Sequence, residues 1–298
     1  VQQVRVLNRV LTWSPEGIQY EPDPRHAELI IQELGLEHAN SVNAPVVKSE
    51  QRSGGVNSSK DGDVLGDCLL QSRASAGDGD DAPETVVISA ANVQHSGADV
   101  VDGVDVELGP SEATKYRGLC ARSNFLALDR SNLLYAAKEV SRKMAKPQVQ
   151  DWCGMKRIGR FLIGAKRVIQ WFRWQSTPLS VDCYTDSDWA GCKSTRRSSS
   201  GGLVKLGGHL LKAWSSTQAV IALLSSEAEL YSMVKGTSQT LGIISMLKDL
   251  GVSVNATVHT DASAAIGIVQ RQGAGKLRHV HVQFLWMQDL VRSKEVTV

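Results

Sequence analysis

Short runs of alternating apolar residues, one long helix-period segment and an interleaved order of the two predict an α/β chain with a mixed sheet and flanking helices. From Ser180 onward the order reads strand, hairpin, helix, strand, helix, helix, strand. Upstream of it lies a mainly helical stretch, and before that a segment rich in Ser, Gly and Asp.

Taken in order, residues 1–47 read as two strands and a helix. Val4–Leu7 leads to Leu11–Trp13, Ser14-Pro15-Glu16-Gly17 has turn chemistry, and Ile18–Tyr20 resumes the alternation. Asp23-Pro24 then opens a helix from His26 to Leu34 that closes at Gly35. Residues 48–113 carry 4 Lys+Arg against 13 Asp+Glu. Too little apolar surface is present there to offset the entropy of ordering, so an acidic disordered linker is expected. The helical region of 114–178 has a first helix starting near Ser111, a second over Asn132–Met144 and a third from about Val149 to Trp174. The third has an apolar face and a basic one. The last segment, 179–298, opens with the strand Val181–Thr185. Gly207-Gly208 joins a hairpin, a long helix runs from about Ser225 to Leu250 and stops at Gly251, and Ala256–Thr260 is a further strand. Helices from about Ala262 and over Leu277–Arg292 precede a strand at Glu295–Val298.

Composition bounds the class. With 298 residues, 42% hydrophobic and 21% charged, the chain can bury an ample core in one to three domains. It has no apolar run of about 18 residues, which excludes a membrane-spanning helix. Five cysteines, an odd number without a Cys-x-x-Cys pair, argue against a disulfide scaffold or a zinc site and for an intracellular setting, cytoplasm or nucleus. Val1-Gln2-Gln3 has neither methionine nor leader character, so a piece of a longer protein is expected. The net charge of +2 hides a basic body around the acidic linker, and basic bodies favour polyanions.

Three acids draw attention as candidates for chemistry. Asp186 ends the strand Val181–Thr185, and Asp261 follows the strand Ala256–Thr260. If those strands are neighbours, both carboxylates leave the same edge of the sheet. Ser225-Ser226-Glu227-Ala228-Glu229 opens a helix that must pack on that sheet, so one glutamate can join them. Such a trio repels itself unless a divalent cation lies among it, and hard carboxylate oxygens suit Mg²⁺ or Mn²⁺ rather than zinc. The plainer reading makes Asp186 and Asp261 turn formers and Glu227 and Glu229 helix-dipole partners. Both readings stay open on pattern alone.

The runs Tyr184-Thr185-Asp186-Ser187-Asp188-Trp189-Ala190-Gly191, Ser198–Gly202, Leu224–Tyr231 and His259-Thr260-Asp261-Ala262 together resemble the ribonuclease H domain of Ty1/copia-type retrotransposon polyproteins. Leu7-Asn8-Arg9, Asp23–Glu28, Tyr116–Leu119, Asp129-Arg130 and Ala137-Lys138-Glu139 resemble the reverse transcriptase region of the same polyproteins. The resemblance implies a palm/thumb remnant over 1–47, a thumb/connection over 114–178 and a ribonuclease H-like domain over 179–298, truncated at its end. It further implies that Asp186, Glu229 and Asp261 are catalytic and hold two Mg²⁺ or Mn²⁺ ions that cut the RNA strand of an RNA/DNA hybrid. Glu229 fits the family's helix glutamate because Leu230-Tyr231 follows it; Glu227 is the fallback. The family's fourth acid would lie beyond Val298, and its polymerase Tyr-x-Asp-Asp motif upstream of Val1. Arg278-His279-Val280-His281 resembles the family's basic-His-Ile-acid run, with His281 where an acid is usual; neither histidine is assigned to catalysis.

The competing expectation is a catalytically inactive nucleic-acid-binding remnant of such a polyprotein, otherwise joined to the remainder of Pol. Lys156, Arg157 and Arg160 of the basic helix, with Lys193, Arg196 and Arg197 of a loop, are the candidate phosphate contacts; a solvated basic face is the alternative. Trp189 and Trp214 are read as packing residues rather than base-stacking platforms. Hybrid affinity that falls steeply with salt supports phosphate gripping, and a flat salt response counts against it.

Overall fold

The structure is a computed structural model that describes residues 2–46, 106–192, 194–273, 275 and 282–298. Among these residues seven α-helices and nine strands form two open sheets, each with its own helical packing. No helix among them is long and apolar enough to cross a membrane. Most of the acidic stretch, His279, His281 and Lys193 lie outside the described residues.

The first sheet is an antiparallel meander of β1 (Gln2–Val6), β2 (Arg9–Ser14) and β3 (Gly17–Glu21), completed by β4 (Gln170–Arg173) from far along the chain. Three strands therefore stand where the sequence suggests two. Leu7 and Asn8 both take positive φ, 48° and 64°, and make a two-residue hairpin turn. Leucine disguises that turn, since asparagine or glycine is the usual signal. The expected helix to Trp174 also ends early: α-helical structure stops at Gly164, and Gln170–Arg173 pairs with β3 instead. At Gly17 (φ +152°) the two backbones approach so closely that a Cβ would meet the Phe172 carbonyl oxygen at 2.3 Å.

Four helices pack beside this sheet: α1 (Arg25–Glu33), α2 (Pro110–Asp129), α3 (Leu134–Ser141) and α4 (Asp151–Gly164). Asp23 accepts the Arg25 backbone N–H at 3.0 Å and so starts α1. Pro110 takes the first position of α2, where its missing N–H costs nothing. The helical part thus begins inside the range 48–113 assigned to the linker. The second expected helix begins at a 3₁₀ turn, Ser131–Leu133, before α3. Ile30, Leu119, Leu133, Met155, Ile158 and Leu162 are buried between the four helices. Each such side chain stabilises the fold by about 1.5–3 kcal/mol.

The second sheet has the order β7-β6-β5-β8-β9. β5 (Ser180–Asp188), β6 (Ser199–Leu206) and β7 (His209–Thr217) are antiparallel, whereas β8 (Asn255–His259) and β9 (Val296–Thr297) continue it in parallel. Gly207, at φ +59°, turns the β6–β7 hairpin. Helix α5 (Ser225–Asp249) covers the sheet, with α6 (Ser263–Gln270), a 3₁₀ turn (Val282–Leu285) and α7 (Trp286–Arg292) beyond it. The last expected helix, Leu277–Arg292, is therefore shorter in its described part. Val181, Cys183, Val204, Leu230, Met233, Val258 and Met287 form the core.

Gly236 lets α5 sit close on β5, because a Cβ there would meet Thr185 Cγ2 at 2.4 Å and Cys183 Sγ at 2.8 Å. Gly236→Val is expected to destabilise this part by about 1–3 kcal/mol through overpacking. Urea unfolding followed by tryptophan fluorescence checks it; an unchanged midpoint would refute the close contact.

Candidate metal centre at the end of the second sheet

β5 and β8 are adjacent and parallel, with Tyr184 opposite His259. Two residues further along each strand, Asp186 and Asp261 therefore leave the same edge, as neighbouring strands would require. Helix α5 supplies the third acid. Its stripe Glu229, Ser232, Gly236, Thr240 has helical spacing and is buried. Ser232 Oγ donates to the Asp186 carbonyl at 2.7 Å, which fixes the helix to the strand at the aspartate itself. Gln218 Nε2 donates to Ser200 Oγ at 2.9 Å and to the Ala228 carbonyl at 2.8 Å, tying the first turn of α5 to β6.

The result is a cluster. One carboxylate oxygen from each of Asp186, Glu229 and Asp261 lies within 4.8 Å of the others. Asp186 and Asp261 are exposed, while Glu229 is only 9% exposed. Its two oxygens differ. Oε1 accepts the Ser187 backbone N–H at 3.1 Å and the Ser187 hydroxyl at 2.7 Å. Oε2 is buried with no hydrogen-bond partner among the described residues. A carboxylate oxygen so placed beside two further acids is costly without a cation. All three donors are hard oxygens, which fits Mg²⁺ or Mn²⁺. Burial raises the Glu229 carboxyl above the ordinary glutamate range; Ser187 pulls it down, and Asp186 and Asp261 add to the rise.

Glu227, two residues earlier, is occupied elsewhere. Its Oε2 accepts the Leu223 N–H at 2.8 Å and its Oε1 accepts the Tyr231 hydroxyl. It braces the start of α5, and Glu229 faces the aspartates.

On α4, Arg157 Nε donates to the Ala44 carbonyl at 3.1 Å and Arg160 Nε to the Asn40 carbonyl at 2.8 Å, so both hold the loop after α1. Lys156 lies half-buried on the same helix. Arg196 and Arg197 are exposed in the loop between β5 and β6, near the strand end that carries Asp186. Trp189 Nε1 donates to the Ala222 carbonyl at 3.0 Å, and the Trp214 ring fills the space that a side chain at Gly202 would take. Ser187, which holds Glu229, is a site residue that the sequence barely marks. Its position between two aspartates is the only signal.

Comparison with known proteins gives the chain relatives. It is 28% identical over 190 residues to the retrovirus-related Pol polyprotein from transposon RE2 of Arabidopsis thaliana, covering 63% of this chain and 13% of that protein. The Pol polyprotein from transposon RE1 of the same plant matches over 191 residues at the same identity, with the same two shares. That from transposon TNT 1-94 of Nicotiana tabacum is 27% identical over 171 residues, 57% of this chain and 13% of the relative. The relatives it matches along about 60% of its length are thus retrovirus-related Pol polyproteins from copia-type transposons. The chain spans about 13% of the length of those relatives. No family model matches it, and no solved structure does.

Neutralising the buried acid tests the cluster. A carboxyl raised in the folded state favours folding when protonated, and this contribution is lost as pH rises through the ordinary glutamate range to the raised value. At pH 7 without metal, Glu229→Gln is therefore expected to be more stable than wild type by about 0.5–2 kcal/mol. The advantage shrinks as pH falls from the raised value toward the ordinary glutamate value of 4.5 and is gone below it. Thermal unfolding against pH checks both, and a destabilised variant at pH 7 would contradict the strained-acid account.

Proposed function

We propose that the part from Ser180 onward is a ribonuclease H-like nuclease that cuts the RNA strand of RNA/DNA hybrids, as one piece of a larger Pol polyprotein. The observation that carries this reading is the buried, unpartnered Glu229 oxygen between Asp186 and Asp261. The mixed sheet with α5 against it and the relationship to Pol polyproteins support the same assignment.

Asp186, Glu229 and Asp261 would hold two Mg²⁺ or Mn²⁺ ions. Bound there, such ions activate a water and stabilise the leaving oxygen in phosphodiester hydrolysis. The protein's own part is positional. Ser187 fixes the Glu229 rotamer by holding one oxygen and leaving the other free. Ser232 and Gly236 set the distance of helix from strand, and hence of Glu229 from Asp186. The closed helix–sheet contact keeps water from one side of Glu229, which strengthens its interaction with a cation. As pH falls, Glu229 takes up a proton sooner than an ordinary glutamate would, and cation binding weakens with it. Arg196 and Arg197, beside the same strand end, are placed to meet phosphates of the substrate.

The test is cleavage of a labelled hybrid by the full chain with Mg²⁺ and with Mn²⁺. Asp186→Asn is expected to lower the rate by more than about 100-fold, beyond the range of an outer-shell change, and Ser187→Ala by about 10–100-fold. Cutting that survives Asp186→Asn would refute the site. Hybrid binding without cutting by the folded chain would mean that it only binds nucleic acid.

A further inference from the structure

Between the two sheets, where α2 gives way to the 3₁₀ turn, Arg130 is 2% exposed. Its Nε and both terminal nitrogens have no hydrogen-bond partner among the described residues. The adjacent carboxylate does not serve it. Asp129 turns to the first sheet, where its Oδ2 takes Arg9 Nε at 2.9 Å and a second Arg9 nitrogen at 2.8 Å, and its Oδ1 takes the Tyr20 hydroxyl at 2.5 Å. Burial with no compensating charge pushes the Arg130 guanidinium down from its ordinary value. Most buried arginines have an anion or several carbonyls, because an isolated buried cation is strongly unfavourable.

Arg130 lines a crevice of about 360 Å³ whose walls also carry the donors Ser131 and Asn132, Gln170, whose Nε2 already donates to the Asp129 carbonyl at 3.1 Å, and Asp129, whose carboxylate is taken by Arg9 and Tyr20. Ser131 and Asn132 are shared with a neighbouring groove of about 560 Å³, between the start of α3 and the second sheet, and Asp186 lines that groove. Gly201, opposite Asp186 on β6, has open space where a Cβ would stand. The crevice beside the unmatched cation and the groove beside Asp186 thus share the wall made by Ser131 and Asn132.

We propose that Arg130 is an anchor for a phosphate group, and that this group belongs to a nucleic-acid strand lying across the shared wall of the two cavities toward Asp186. The anion site follows from the buried guanidinium alone; the identity of the strand rests on the nuclease reading. Arg130 suits the task because a guanidinium meets phosphate oxygens with two parallel N–H donors. Its head must turn into the crevice to do so, a rotamer change of the kind that binding surfaces commonly show.

The experiment uses the full chain carrying Asp186→Asn in EDTA, so that neither cleavage nor metal enters. Thermal unfolding in inorganic phosphate is compared with chloride at equal ionic strength. Phosphate stabilises proteins generally, so the readout is the difference between this background and the same background with Arg130→Met. Removing an unmatched buried charge is expected to raise the midpoint of Arg130→Met in chloride, while its phosphate-dependent shift falls below that of the parent. Binding of a short oligodeoxythymidine is measured alongside. Its plot of log affinity against log salt is expected to become shallower by about 0.7, one phosphate contact on a single strand, and Arg130→Lys to retain that slope. Equal phosphate shifts with and without Arg130 would overturn the site. A phosphate shift that depends on Arg130 with an unchanged oligonucleotide slope would overturn the strand assignment, and failure of hybrid cleavage by the wild-type chain would bear on the nuclease reading alone.

Discussion

The contact of α5 with β5 sets everything that follows at the site. Along one helical stripe, Glu229, Ser232 and Gly236 meet Ser187, the Asp186 carbonyl and Thr185 in turn. A hydrogen bond, a close approach without a Cβ and a double acceptor contact thus fix the helix in distance, rotation and register. Because β8 lies beside β5 in parallel, Asp261 arrives at the same edge without further adjustment. A shift of α5 by one residue would turn Glu229 about 100° from the acids and bring a neighbour into its place. Ser187 and Ser232, rather than the acids themselves, are what forbid that shift.

The arrangement holds a cost that the rest of the fold must carry. Three carboxylates lie together, one of them buried with an oxygen that lacks a partner. The neighbouring Glu227 shows the contrast: still more deeply buried, it has a backbone N–H and a tyrosine hydroxyl to accept. One glutamate is satisfied and braces the helix, while the other is held unsatisfied toward the aspartates. Such selective dissatisfaction is expected where a protein keeps groups ready for a ligand, and unexpected where it only packs. Arg130 repeats the theme with the opposite sign of charge, in the crevice that adjoins the groove beside Asp186.

Much of the fold was legible because its signals are local. Gly207-Gly208 marked the β6–β7 hairpin, Gly251 the end of α5, and the alternation of Val181, Cys183 and Thr185 the buried face of β5. Asp186 and Asp261 were legible for the same reason, as acids just past strand residues. Signals that depend on distant partners were lost. The run Val168–Trp174 is apolar enough for a helix or a strand, and only its pairing with β3, about 150 residues upstream, decides it. The Leu7-Asn8 turn places a leucine where the sequence gives no reason to expect positive φ. Glu227 and Glu229 are two residues apart, and helical period alone does not say which one has Leu223 and Tyr231 for partners. Nothing in the sequence marks the Ala44 and Asn40 carbonyls that accept from Arg157 Nε and Arg160 Nε.

The central claim is that this helix–strand contact builds a site for divalent cations in which Glu229 is a ligand through one oxygen and a structural acceptor through the other. Anomalous diffraction from crystals of the full chain soaked in Mn²⁺ tests it most directly. The account predicts a peak among Asp186, Glu229 and Asp261, with Oε2 of Glu229 turned to the ion and Oε1 still on Ser187. A crystal without that peak, or one with Mn²⁺ only at the Asp182–His259 pair, whose Oδ1 and Nε2 stand 3.1 Å apart, would contradict it.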